Sequence, residues 1–433
     1  MHTEISHAAP PSGPGHGRVL MVAFQFPPFA LSSGVQRTLR FVQHLPECGW
    51  TPLVLTARAR AYTAVSSDLV AEVPPDVTVV RACALDAARH LSIAGRYPGA
   101  FGRPDRWRSW AWFGVAAGMR LIRRFRPDVI WSTYPIATAH LIAHRLHRLS
   151  GVPLVADFRD PMAQEGYPAD RRTREAFLQI ERDLARHAAR LVFVTPGARA
   201  LYEDRYPEVP AGRFATIENG FDEAAFEAAE RQLRPEPLHP GTFTLLHSGI
   251  VYPSERDPTA LFRALGRMRA DGRITPERLR IRFRAPVHDD IVRRSAVESK
   301  TSDLIEILPP IPYRDALEEM LRADGLLVMQ GANCNEQIPA KLYEYLRARR
   351  PVLGLADPAG DTGKALSAAG VSTVATLEDS GAVERAIGDY LTRVRPEARP
   401  LPFDPRVAAL SRRSRTRELA SLLDAVRATS AAA

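Results

Sequence analysis

Lysine is nearly missing from this sequence. Of 58 Lys+Arg, only Lys300, Lys341 and Lys364 are lysines. Such a bias fits a GC-rich coding sequence, in which basic positions default to arginine. A compact ammonium and a broad guanidinium fork are not interchangeable against phosphate, so a lysine that is kept carries information. Cysteine is as scarce. Cys48, Cys83 and Cys334 are odd in number, scattered and without metal-ligand spacing, which fits a reducing cytoplasm. Cys334 reads as a small apolar loop residue. No uninterrupted apolar run approaches membrane-spanning length. Asp-x-Asp, the Walker lysine loop, His-Glu-x-x-His, Gly-x-Gly-x-x-Gly and a serine nucleophile elbow are all lacking. Neither a metal nor a cofactor is expected on these grounds.

The chain has 433 residues, more than one hydrophobic core usually supports, so two domains are expected. Hydrophobic residues at 45% and charged residues at 25% make an ordinary globular balance. Residues 1–17 are polar, rich in Pro, Gly and His, and lack a signal peptide's apolar core; they read as a disordered leader. The net charge of +9 admits three partners: nucleic acid, an anionic membrane or phosphorylated substrates. No nucleic-acid signature accompanies it, and none is expected to bind. The densest basic stretch, Arg96 to Arg126, carries Trp107, Trp110, Trp112 and Phe113. It fits a peripheral helix on an anionic membrane and equally a core-packed helix with an arginine face.

Strand-like and helix-like runs alternate throughout, the pattern of doubly wound α/β domains. The first half predicts strands at Arg18–Phe24, Pro52–Thr56, Val77–Val80, Asp128–Thr133, Pro153–Asp157, Leu191–Val194 and Phe214–Ile217. The second predicts them at Phe243–His247, Leu279–Arg284, Leu304–Leu308, Leu326–Met329, Pro351–Leu355 and Val371–Ala375. Helices include Gly34–Cys48, Arg106–Arg126 and Pro339–Arg349. Glu227 to Pro240 is rich in Glu, Arg and Pro and looks like the linker. The expected layout is an N-terminal Rossmann-like domain over 18–230, a second over 241–400 and a crossover helix over 404–428. Two such halves facing one another place a cleft at the carboxyl ends of both sheets.

One stretch stands out: Glu336-Gln-Ile-Pro-Ala-Lys-Leu-Tyr-Glu344, eight residues from glutamate to glutamate, with Lys341 between. A buried strand precedes it, and Pro339 suits a first helical turn, where its missing N–H is no loss. Lys341 and Glu344, three apart, then share a helix face. A helix start with a lysine in its second turn favours anions, and a carboxylate on either side can accept from sugar hydroxyls. Such a site suits a sugar joined to a diphosphate. A solvated helix with Glu–Lys pairs is the alternative.

Other strand ends carry further candidates. Ser32-Ser33-Gly34 is a small-residue turn at a helix start, where backbone can approach a phosphate, or a plain tight turn. Asp157-Phe-Arg-Asp160 sets two carboxylates around Arg159, either for function or as an internal ion pair. Ser248-Gly249 ends a strand and Arg256 precedes a helix, from where it can reach a phosphate or pair with Glu255 or Asp257. Asn219-Gly-Phe-Asp222 is a turn with Asp222 as N-cap, read as hinge structure.

Together these motifs resemble the retaining GT-B glycosyltransferases of family 4. The likeness runs from Arg18 to about Leu423, through Pro27-Pro28, Asp157 to Asp160, Asn219 to Asp222, and Lys341 to Tyr345. It implies two Rossmann-like domains, with a C-terminal helix returning to the first. It further implies that Arg256 and Lys341 clamp the donor diphosphate and that Glu344 binds the ribose. Glu336 would hold the transferred sugar, with Gly34 against the phosphates. Ser33, Ser248, Gly249, Asn335, Ile338 and Leu342 complete the implied donor site, and Arg159, Asp160 and His140 the acceptor side. Many members carry a histidine where this chain has Asp157 to Asp160; His140 is a substitute or a packed side chain. Donor nucleotide sugar, a saccharide, lipid-linked or small-molecule acceptor, and a cytoplasmic site against the inner leaflet follow as expectations. Two rivals remain: a sugar-nucleotide epimerase on the same fold, and a catalytically silent scaffold subunit.

Overall fold

A computed structural model describes residues 4–6, 16–30, 34–92, 99, 102–164, 166–234, 236–396, 400–402 and 404–432. The chain divides into two compact units, Met1–Glu218 with Arg412–Ala433, and Asn219–Ser411.

The first unit holds eight strands: β1 (Glu4–Ser6), β2 (Gly17–Val22), β3 (Trp50–Ala57), β4 (Thr78–Ala82), β5 (Val129–Thr133), β6 (Leu154–Phe158), β7 (Arg190–Phe193) and β8 (Phe214–Thr216). They form one sheet in the order β1-β4-β3-β2-β5-β6-β7-β8. All pairs are parallel except β1, which adds antiparallel to β4 with Ile5 opposite Val80. The leader reading is therefore corrected for Glu4–Ser6: the outer edge of β4 offers unpaired N–H and C=O groups, and a short extended segment takes them. The rest of that leader, up to residue 15, lies outside the described residues.

Side chains alternate across the strands, as a period of two requires. Leu20, Val22, Leu53 and Leu55 join one buried cluster, which includes Trp110, Leu121 and Ile142. Val19, Met21, Val54 and Trp131 face the other way, into a second cluster. Leu419, Leu423 and Val426 of the terminal helix Arg412–Ala432 complete that second cluster. Trp50 Nε1 also donates to Asp424 Oδ1 at 3.1 Å. The helix that follows β2 spans Gly34–His44 and ends in a short 3₁₀ turn, Leu45–Cys48.

The second unit is a six-stranded, fully parallel sheet: β9 (Phe243–Ser248), β10 (Leu279–Arg284), β11 (Ile305–Leu308), β12 (Gly325–Met329), β13 (Val352–Leu355) and β14 (Val374–Ala375). Its order is β11-β10-β9-β12-β13-β14, the doubly wound arrangement of dinucleotide-binding sheets. The predicted linker is corrected, since Glu223–Arg231 is a helix of this unit. Phe226 is 0% exposed in a cluster with Leu317, Met320 and Tyr343. Arg347 reaches both Glu223 and Glu230 of that helix. A polar composition concealed one apolar stripe and an ion-pair face. Asp222 caps the helix by accepting from Ala225 N, as its motif predicted.

Candidate active site

In the second unit the chain leaves β9 toward β10 on one side, while β12 lies on the other. The crevice at the carboxyl ends of two such strands is where open α/β sheets bind ligands. β9 ends in His247-Ser248 and β12 runs into Gln330. The helix Lys341–Ala348 opens beside them, two residues later than predicted. The Leu342 N–H donates to the Pro339 carbonyl at 2.9 Å, so Pro339 lies in a turn ahead of the helix. Lys341 is thus the first helical residue and not in the second turn, which brings its side chain nearer the anion-attracting end.

Lys341 Nζ lies 3.0 Å from His247 Nε2. His247 Nδ1 lies 2.9 Å from the Leu327 carbonyl, and the ring is 0% exposed. Burial, then the neighbouring Arg256, hold the Lys341 amine well below the ordinary lysine range, with Glu344 opposing. Burial and Lys341 keep His247 well below the ordinary histidine range. Gly249 has φ +115°, and a Cβ there would meet Lys341 Nζ at 3.1 Å. Only glycine suits both the dihedral and the space. The Ser248 N–H donates to the buried Tyr345 hydroxyl at 2.8 Å, which ties the strand end to the same helix.

Arg256 bonds the Ile250 carbonyl at 3.1 Å and Gln330 Oε1 at 3.3 Å, and its guanidinium lies over the Tyr252 ring. Gln330 is 2% exposed, and its amide nitrogen has no partner among the described residues. Glu344 Oε1 accepts from the Tyr313 hydroxyl at 2.8 Å. Around Glu336 the backbone is pinned on both sides. The Asp361 N–H donates to the Asn335 carbonyl at 2.8 Å, and Thr362 Oγ1 donates to the Gln337 carbonyl at 2.8 Å. Asn335 Nδ2 donates to Asp357 Oδ2 at 2.6 Å.

Two members of the expected donor set are corrected as side chains. Leu342 is 0% exposed and Ile338 8%, and both sit in the hydrophobic cluster beneath the helix. Position beside a motif did not reveal which way they face. The structure adds His247, Gln330, Tyr313 and Tyr345, which sequence reasoning missed. Of these only His247 left a trace, a histidine at the end of a largely apolar strand.

The first unit treats its strand-end charges differently. Asp157 is 0% exposed and pairs with Arg37 at 2.7 Å and 3.1 Å; Thr133 Oγ1 adds a bond at 2.8 Å. Arg37 also bonds the Ile217 and Glu218 carbonyls at 2.9 Å and 3.0 Å. This half of the Asp157–Asp160 motif is an internal ion pair. Arg159 donates to Gln25 Oε1 and to the Gly34 carbonyl, while Asp160 is exposed. Both Gln25 and Arg159 occupy the place where a Cβ on Gly34 would stand. Gly34 does open its helix, but that space is filled by side chains of this chain; Ser33 lies outside the described residues. His140 is corrected as an acceptor contact. It is 0% exposed, bonds Ser132 at 2.8 Å and packs against Tyr134 and Phe158. Trp110 is likewise fully buried and Trp107 packs on the core, leaving Trp112 exposed.

Comparison with known proteins agrees with these features. Sucrose-phosphate synthase from Thermosynechococcus elongatus superposes with TM-score 0.60 at 14% identity, over 96% of this chain and 97% of that one. Anabaena HepE, crystallised with UDP-glucose, gives 0.56 at 13% over 96% and 98%. The UDP-GlcNAc 2-epimerase of Neisseria meningitidis, bound to UDP-GlcNAc, gives 0.54 at 9% over 94% and 100%. At these identities the likeness is one of fold, and that fold is GT-B. No curated protein matches the sequence. Residues 33–220 match the model of the glycosyl transferase 4-like domain. Residues 33–220 are thus similar to the glycosyl transferase 4-like domain, and the chain as a whole has the GT-B fold.

Proposed function

We propose that this protein is a retaining glycosyltransferase that moves a sugar from a nucleoside-diphosphate donor without a metal. The observation that carries the reading is the Lys341 seat: a lysine in an arginine-rich chain, at a helix start, half-buried beside Arg256 and Gly249. Two half-buried cations held side by side repel each other, and an anion bound between them relieves that repulsion. A diphosphate does so, and its charge grows as the glycosidic bond breaks, so the same contacts stabilise the transition state more than the bound donor. Glu344, steadied by Tyr313, would accept from the ribose hydroxyls, and Glu336 from the transferred sugar. The UDP-sugars bound to HepE and to the Neisseria epimerase support uridine donors as the first to test.

A thermal-shift panel over UDP-, GDP- and dTDP-sugars, followed by transfer assays with chelator present, tests this. The expected result is stabilisation by one nucleotide series and anomer-retaining transfer that Lys341→Ala lowers at least about 100-fold. A Lys341→Ala protein as active as wild type would sink the proposal. The epimerase reading draws on the shared fold; conversion of a UDP-sugar with no acceptor present would favour it. For the acceptor we propose a lipid-linked or free saccharide met at the inner leaflet, through weak electrostatic contact of the first unit.

A further inference from the structure

Two hydrogen bonds to the His247 ring are within 3.0 Å, to the Leu327 carbonyl and to Lys341 Nζ, and one tautomer satisfies both; the Ile250 carbonyl also faces the ring. A carbonyl only accepts, so the Leu327 oxygen at 2.9 Å requires the proton on Nδ1. An ammonium only donates, so Lys341 Nζ at 3.0 Å requires a lone pair on Nε2. The ring is therefore the neutral Nδ1–H tautomer; a second ring proton would face the ammonium.

The rest of the seat is shaped to an ammonium. Gly249 leaves room on the other side, where a Cβ would stand 3.1 Å from Nζ and 3.4 Å from Cε. The Ser248 N–H is held by Tyr345, which keeps the turn between His247 and Gly249 in place. A guanidinium is wider than the gap, which accounts physically for a lysine here. The other charged groups around Nζ are Arg256, from the loop after β9, and Glu344, from its own helix.

We propose that His247 is the positioning residue of the diphosphate clamp: it accepts one N–H of Lys341 and thereby directs the other two to phosphate oxygens. This rests on the glycosyltransferase reading above. It goes beyond it by assigning a role to a side chain that touches no substrate. Without the acceptor, the lysine is free to rotate, and an ordered charge–phosphate contact becomes a diffuse one.

UDP affinity of the full chain, measured calorimetrically between pH 6 and 9, tests the assignment. His247→Phe keeps the ring's bulk and removes both nitrogens, and should weaken UDP binding roughly tenfold or more, the size of one charge-assisted bond. His247→Gln offers a donor and an acceptor and should restore most of that loss. Adding His247→Phe to Lys341→Ala should cost no more than Lys341→Ala alone. Should His247→Phe fail to fold, ring-¹⁵N spectra of the native protein decide. One imidazole, identified by its loss in His247→Gln, should stay in the Nδ1–H form from pH 5 to 8 and shift at Nε2 with UDP. Wild-type affinity in His247→Phe, additive losses, or a ring that titrates in that range would overturn the proposal while leaving the clamp intact. Failure of the wild type to bind any nucleoside diphosphate would instead overturn the clamp itself, and this role with it.

Discussion

Each unit places an arginine, a carboxylate and a histidine at the carboxyl ends of parallel strands. In the first, Arg37 and Asp157 neutralise each other, backbone carbonyls take the remaining guanidinium protons, and His140 is sealed under Tyr134 and Phe158. In the second, Lys341 and Arg256 lean on neutral acceptors: an imidazole, a carbonyl and an amide. The same residue types are thus structural in the first unit, where the carboxylate bonds the cation directly, and on the function proposed above they face a ligand in the second, where it does not. On that proposal, the direct pairing of charges at the strand end, more than residue identity, separates a core ion pair from a binding site.

Breaking each set should give opposite results. Asp157→Ala leaves Arg37 buried without a counter-charge and should destabilise the first unit by about 3–5 kcal/mol in urea titration. A loss under about 1 kcal/mol would mean the pair is not structural. Lys341→Ala should cost no stability, because it removes one of two adjacent half-buried cations, while transition-state stabilisation falls by about 3 kcal/mol. If it unfolds the protein, the comparison fails.

The histidines sharpen the contrast through pH. Burial takes His140 from 6.5 to about 4. Between those values the unfolded chain binds more protons, so stability rises with pH: full above 6.5 and lost toward 4. This one group should contribute about 3 kcal/mol across that window. His140→Gln, which keeps a bond to Ser132 but does not titrate, should flatten that part of the curve. An unchanged pH profile would show that His140 is not buried in solution.

Smaller effects test the edges of each site. Tyr313→Phe frees Glu344 from one hydrogen bond and should weaken UDP binding by about three- to tenfold, with unchanged melting temperature. Equal affinity would remove Tyr313 from the site. Trp112→Ala should reduce sedimentation with anionic vesicles modestly, by about 1 kcal/mol or less, and high salt should abolish what remains. Equal binding to neutral vesicles would argue that the exposed tryptophan does not mark a membrane face.

Local pattern was enough for the strands, because buried parallel strands are short apolar runs between turns. Leu279–Arg284 agrees with its prediction to the residue, and most others within one to three residues. The helix Glu223–Arg231 was not legible, since its stripe of Phe226 and Ala229 is narrow and its partner Arg347 lies more than a hundred residues away in sequence. By itself the sequence determined the alternation of elements, the glutamate–lysine–glutamate motif and its place after a strand. Those are properties of neighbouring residues, set by periodicity, proline and turn chemistry. Tertiary structure alone decided which charges are neutralised, that His247 lies under Lys341 and Tyr313 on Glu344, and that His140 and Leu342 face a core. Such facts depend on pairs far apart along the chain. Only the sheet's strand order brings them within hydrogen-bonding distance or takes them out of water.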